Sequence, residues 1–190
     1  MRGNDSTSRR LYTFAAGATG DWFVTCVRAV AGAPLAAAAK LSLRDGETPS
    51  REGTAWVLRG VTSNERYVTR FEKERLVAKQ EGLGRREATC AALIPIRKSE
   101  AWWQLPQDER RRIFEERSKH VVLGLEYLPA IARRLHHCRD LGTAEPFDFL
   151  TWFEFAPAYA PAFDELVGRL RETEEWRYVE REVDIRLRRE

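Results

Sequence analysis

The chain is short of several residues that usually announce a chemistry. It has one Met, three His and three Cys in 190 residues. Cys26, Cys90 and Cys138 are an odd set without a Cys-x-x-Cys spacing, so neither a disulfide framework nor a zinc site is indicated. Unpaired thiols suit a reducing compartment. Charge of one sign is lacking as well: 32 Lys and Arg face 29 Asp and Glu, a net of +3. That balance argues against nucleic-acid and membrane-surface partners, which call for one-sided basic clusters. Long apolar runs are also missing. The longest near-continuous one, residues 29–39, is Ala-rich, contains Pro34 and falls short of the ~20 residues of a membrane span. Ser8-Arg9-Arg10-Leu11 superficially resembles a twin-arginine export signal. The stretch that follows has too little apolar length for a signal core and runs into Asp21. The expectation is a cytoplasmic chain.

What is present is the composition of a folded protein, 43% apolar and 32% charged. At roughly 150 residues per domain this is one domain, or one built from two similar halves. Six Trp are many for this length. They serve core and interface packing, or they grip a large flat ligand between indole rings.

Residues 1–10 are polar and are expected to fray. A short strand over 11–15 and a Gly-Ala-Thr-Gly-Asp turn lead to a strand over 22–30. Residues 31–51, rich in Ala, Gly and Pro, read as irregular. Residues 55–61 form another strand. Thr62, three residues before Glu65, is a capping-box pair opening a helix that ends near Gly82 or Gly84. A strand over 89–96 follows. The second half repeats strand, strand, helix, strand: 131–138, 147–155, a helix with Pro161 in its first turn and Phe163, Leu166, Val167 and Leu170 on one stripe, then 176–187. In the last strand Val183, Ile185 and Leu187 alternate with Glu182, Asp184 and Arg186. A helical connector over 100–128, with Pro106 in a helix-starting position, joins the halves. The pattern implies an α+β fold of two ferredoxin-like β-β-α-β halves, 11–99 and 129–190, whose sheets close on each other as a barrel.

Three residues stand out chemically. His120 sits on the apolar stripe of the connector, seven residues after Ile113. It is either a hydrogen-bonded core histidine or a neutral imidazole projecting into a dry pocket, the setting an axial haem ligand needs. Arg133 shares a strand face with Ile131 and Leu135, so it either meets an anion or reaches past the sheet edge to solvent. Glu154 shares the pleat face of Leu150 and Trp152. A carboxylate there could orient a metal-bound imidazole, or simply pair with a nearby Arg.

Taken together, these stretches resemble the chlorite dismutase family, haem b enzymes with a dimeric α+β barrel. The similarity runs from about Trp56 to Leu187. It is densest at Leu93-Ile94-Pro95-Ile96-Arg97-Lys98-Ser99, Ala101-Trp102-Trp103, Ser118-Lys119-His120, Tyr127-Leu128-Pro129-Ala130-Ile131-Ala132-Arg133 and residues 147–154. The thirteen-residue step from His120 to Arg133 matches the family's separation of proximal ligand and distal arginine. The compressed N-terminal half resembles the short, dimeric branch. The resemblance implies that His120 is the axial ligand of haem iron, Glu154 the carboxylate behind it, and Arg133 the distal arginine. It places Gln80 to hydrogen-bond that arginine, Trp102 along the haem pocket with Trp103 beside it at the subunit contact, Lys98 and Tyr67 at the haem and its propionates, and Leu128 on an apolar distal wall. The implied reaction turns chlorite into chloride and dioxygen at ferric haem in a homodimer. Two other readings share the fold: coproheme decarboxylase, a branch that generally lacks the distal arginine, and a haem-binding or sensing protein. His136 and His137 read as structural.

Overall fold

The computed structural model describes residues 11–47, 52–62, 68–142 and 145–190. Eight strands form a closed antiparallel barrel: β1 (Leu11–Gly17), β2 (Trp22–Ala31), β3 (Lys40–Asp45), β4 (Thr54–Val61), β5 (Cys90–Lys98), β6 (Ile131–His137), β7 (Phe149–Phe155) and β8 (Val179–Arg188). Their order around the barrel is β1-β3-β2-β8-β5-β7-β6-β4. Five α-helices, α1 (Arg70–Lys79), α2 (Glu100–Gln104), α3 (Gln107–Arg111), α4 (His120–Glu126) and α5 (Ala160–Arg171), are among the described residues. No helix among them is long and apolar enough to cross a membrane.

The period-2 alternation of the strands sorts side chains between the two faces of the wall. Phe14 and Ala16 of β1, Leu41 of β3, Leu58 of β4, Leu93 of β5, Leu150 and Trp152 of β7, and Val183, Ile185 and Leu187 of β8 fill the barrel. Their neighbours point outward. Ala92, Ile94 and Ile96 of β5, Ile131 of β6, and Phe153 and Phe155 of β7 take the Phe163, Leu166, Val167 and Leu170 stripe of α5. Each such burial stabilises the fold by about 1.5–3 kcal/mol. The fully covered wall is thus the β8-β5-β7-β6 side, and the functional site lies there.

Several sequence expectations are corrected. Residues 31–51 contain β3, which pairs with β1 from Tyr12↔Asp45 to Gly17↔Lys40. Its signal is only Leu41 and Leu43, diluted by the Ala-rich stretch before it. The first helix starts at Arg70 with Thr69 as its N-cap, in a capping box with Glu72, and ends at Lys79. The chain carries two Thr-x-x-Glu pairs in succession and the second is used. Residues 63–67, which include Glu65 and Tyr67, lie outside the described residues, as do 1–10. The strand expected over 89–96 is β5, which hydrogen-bonds to β7 and β8 rather than to the strands before it. The division expected after residue 99 therefore does not follow the sheet. The connector is not one helix: it breaks at Leu105-Pro106 and again at Lys119.

His136 lies inside the barrel with Tyr12 and Phe14 edge-on to it. A β-carbon on Gly60 would come within 2.8 Å of the His136 Cβ, so β4 tolerates no side chain there. The imidazole hydrogen-bonds through Nδ1 to the Leu150 carbonyl and accepts at Nε2 from Arg134 Nε. Burial is the main cause that lowers its pKa to about 4, and Arg134 and His137 add to this. The unfolded imidazole binds a proton below about pH 6.5 that the folded one refuses. Stability is therefore fully present above that pH and is lost as pH falls toward 4, by about 3 kcal/mol. Urea unfolding at stepped pH should show this loss, and His136→Gln should flatten it.

Candidate functional site

Between the outer face of β5-β7-β6 and the helices lies a cavity of about 340 Å³. Its walls are mostly apolar: Ile94 and Ile96 of β5, Phe153 of β7, Leu76 of α1, and Val167 and Leu170 of α5. Polar groups enter at a few points, among them His120, Arg133, Gln80, Lys98 and Glu175. An apolar cleft with a few convergent polar groups is the usual form of a ligand site.

His120 is delivered by an irregular piece of chain. After α3 a π-helical turn (Arg112–Arg117) adds a residue to the helical pitch, a feature often found near functional sites. Lys119 then adopts the left-handed conformation (φ 51°, ψ 37°), costing about 1–2 kcal/mol for a residue with a Cβ. Buried Glu115 holds the far side by accepting from the Val121 N–H at 2.8 Å. The break aims the first side chain of α4, His120, into the cavity. Its ring stacks on Phe114 at 4.4 Å and lies nearly parallel to Trp176 at 6.4 Å.

Behind that ring stands a buried relay. His120 Nδ1 lies 2.7 Å from Glu175 Oε2, and Lys98 Nζ donates to Glu175 Oε1 at 2.8 Å. The Glu175 backbone N–H donates to Ser118 Oγ. The Lys98 and Glu175 side chains are only 4% and 6% exposed. Burial pushes the Glu175 carboxyl up, but the adjoining Lys98 and His120 more than offset it and bring it down to about 2. A carboxylate there fixes the proton of His120 on Nδ1 and turns the lone pair of Nε2 outward. Among the described residues nothing hydrogen-bonds to that Nε2.

Arg133 comes from β6, and its guanidinium lies against α4 at Gly124. Gln80, the C-cap of α1, donates from Nε2 to the Arg133 main-chain carbonyl at 2.8 Å, so it meets the arginine at its backbone and not at the guanidinium. Trp102 is buried, lines the cavity and lies under the Lys98 ammonium. Leu128 is buried with Leu76, Val121 and Leu125 at the contact of α1 and α4. Trp103 stacks on Phe149 and donates to Asp148. Tyr67 lies outside the described residues.

Two assignments are corrected. Glu154 does not meet His120. It points into the barrel with Leu150 and Trp152, and accepts from Trp152 Nε1 at 2.9 Å and from the Gly84 N–H at 2.6 Å. The pleat that puts Trp152 inside puts Glu154 inside too, while the cavity is outside. Its role is to tie down the loop after α1. Glu154→Ala should cost about 1–3 kcal/mol, since it leaves the buried Trp152 indole N–H unmatched, and denaturant unfolding measures that. Lys98, expected at propionates, instead neutralises Glu175. Glu175 itself was not foreseen, because nothing in Glu172-Thr173-Glu174-Glu175 marks one glutamate as buried.

The chemistry open to this arrangement is narrow. Among the described residues no three His, Cys, Asp or Glu converge on a point where an ion could be held. A metal on His120 Nε2 would take its other donors from outside the described side chains, and the apolar walls with the Trp102 and Trp176 rings are of a kind that suits a flat macrocycle. Arg133 adds a permanent cation suited to a small anion.

A family model described as chlorite dismutase matches residues 3–189. The chain is similar to the dimeric chlorite dismutase of Nitrobacter winogradskyi, with 58% identity, a TM-score of 0.86, and coverage of 94% of this chain and 99% of that one. A chlorite dismutase from Candidatus Nitrospira defluvii, solved in complex with imidazole, shares the fold at 21% identity and TM-score 0.69, over 97% of this chain and 93% of that one. Chlorite dismutase from Ideonella dechloratans is 33% identical over 64 residues, 34% of this chain and 20% of that relative's length.

Proposed function

This chain belongs to the chlorite dismutase family, and from that membership and the cavity we propose that it is a haem b enzyme converting chlorite to chloride and dioxygen. When bound, haem b supplies the redox chemistry of that conversion. The protein's own residues do the rest. His120 Nε2 is the group that would hold the iron. Glu175 keeps the His120 proton on Nδ1 and makes the imidazole a stronger donor. Lys98 keeps Glu175 ionised in a buried place. Ile94, Ile96, Trp102 and Phe153 exclude water from the cavity.

Arg133 draws the chlorite anion in and retains anionic chlorine species until dioxygen and chloride leave. A guanidinium does this without titrating in the working pH range. Gln80 fixes the Arg133 main chain. Tyr67 is proposed at the propionates by resemblance. The homodimer is carried over from the dimeric Nitrobacter relative.

The observation that most supports this reading is that a carboxylate-held imidazole and an arginine share one apolar cavity. The test is dissolved oxygen on adding chlorite to haem-loaded protein. Prompt release of one dioxygen per chlorite supports it. A Soret band without oxygen favours a haem-binding or sensing protein, and haem b formed from coproheme and peroxide favours the decarboxylase.

A further inference from the structure

Gly124 is a costly residue where it stands. It is buried in the interior of α4, and glycine costs a helix interior about 1 kcal/mol relative to alanine. Its backbone is not among the glycines with positive φ, so the absence of a side chain, not freedom of the main chain, is what the position needs. A β-carbon there would lie 2.0 Å from Arg133 Nη1 and 2.8 Å from both Cζ and Nη2. These three distances put that point close to the plane of the guanidinium, off its Nη1–Nη2 edge, so the group meets the helix edge-on.

We propose that Gly124 is a positioning residue that seats the Arg133 guanidinium and thereby sets the affinity of the cavity for small anions. The proposal rests on the reading of Arg133 as the anion-binding group. Residues four apart share a helix face, so α4 carries the His120 imidazole and, one turn on, the seat of the cation. The spacing of the two is then fixed by one rigid element rather than by the packing of two. Any side chain at position 124 would drive the guanidinium off by roughly 1.5–2 Å to reach ordinary contact distance, while Gln80 keeps the Arg133 main chain in place.

The test is Gly124→Ala, Arg133→Ala and the double variant, read in two ways. In haem-free protein the Arg133 Nε resonance in a ¹⁵N spectrum should shift in Gly124→Ala. In haem-loaded protein, fluoride titrated through the Soret band should bind about tenfold more weakly. KM for chlorite should rise by a similar factor, with kcat changed less than twofold. In the Arg133→Ala background the Gly124→Ala change should have no further effect on fluoride, and thermal stability should rise because the clash is gone.

An unmoved Arg133 resonance overturns the seat. A fluoride effect of Gly124→Ala that persists without Arg133 overturns the positioning role, since it must then act through the helix and His120. If Arg133→Ala alone leaves fluoride binding unchanged, the failure belongs to the reading of Arg133 and not to the seat.

Discussion

Alanine at position 120 is expected to abolish stoichiometric haem binding, seen as loss of the sharp Soret band on titration of the haem-free protein. Two imidazoles line the cavity, His120 and His137, and His120 is the one that Glu175 orients; among the described residues no three His, Cys, Asp or Glu gather to hold the metal in its place. Removing an outer partner of a metal-bound histidine typically costs about 10–100-fold in affinity, so removing the ligand itself must cost more. Porphyrin can still partition into the apolar walls, which predicts a broad, shifted band of weak, non-stoichiometric binding. Free imidazole should restore the spectrum, because the space vacated by His120 lies between Phe114 and Trp176, already shaped for a flat ring. Glu175→Gln should fall between the two extremes, with affinity lower by about 10–100-fold. It should also raise the iron potential, since the imidazole loses the carboxylate that makes it electron-rich. Glu154→Ala should change neither, because its oxygens serve Trp152 and Gly84 inside the barrel. This pair of variants separates the carboxylate that sequence resemblance nominated from the one the fold supplies.

What could be read from the sequence was what local pattern determines. The stripe of Phe163, Leu166, Val167 and Leu170 named the buried face of α5, and the alternation of Val183, Ile185 and Leu187 named the inner face of β8. Arg133 on an apolar strand face was legible for the same reason, whereas the stripe that joined His120 to Ile113 does not run through the break at Lys119. The failures at β5 and Glu175 share a physical cause: both depended on which elements meet across the fold. β5 follows β4 in the chain but pairs with β7 and β8, and no local signal carries that choice. Glu175 lies 55 residues from His120 in a run of glutamates of equal local merit. The alternation rule itself contained the warning about Glu154. A residue sharing the face of Trp152 could not also face a cavity reached from the face of Phe153.

Arg133→Ala is expected to bind haem as tightly as the parent and to lose chlorite turnover by about 10²–10³ in kcat/KM, the scale of removing a charge aimed at a reacting anion. The split follows from where the side chain is anchored. Its guanidinium rests on α4 at Gly124 and takes no part in the His120, Glu175 and Lys98 relay, so truncating it leaves the imidazole side intact. Chlorite then enters a low-dielectric cavity without its main compensating cation, and anionic chlorine species are free to leave. The variant should therefore also bleach faster during turnover, because the escaping fragment is an oxidant. Arg133→Lys should recover part of the rate, since an ammonium supplies the charge but not the planar fork. Oxygen traces with matched Soret titrations measure all of this. Undiminished oxygen release in Arg133→Ala would remove anion retention from the mechanism, whatever the haem affinity proved to be.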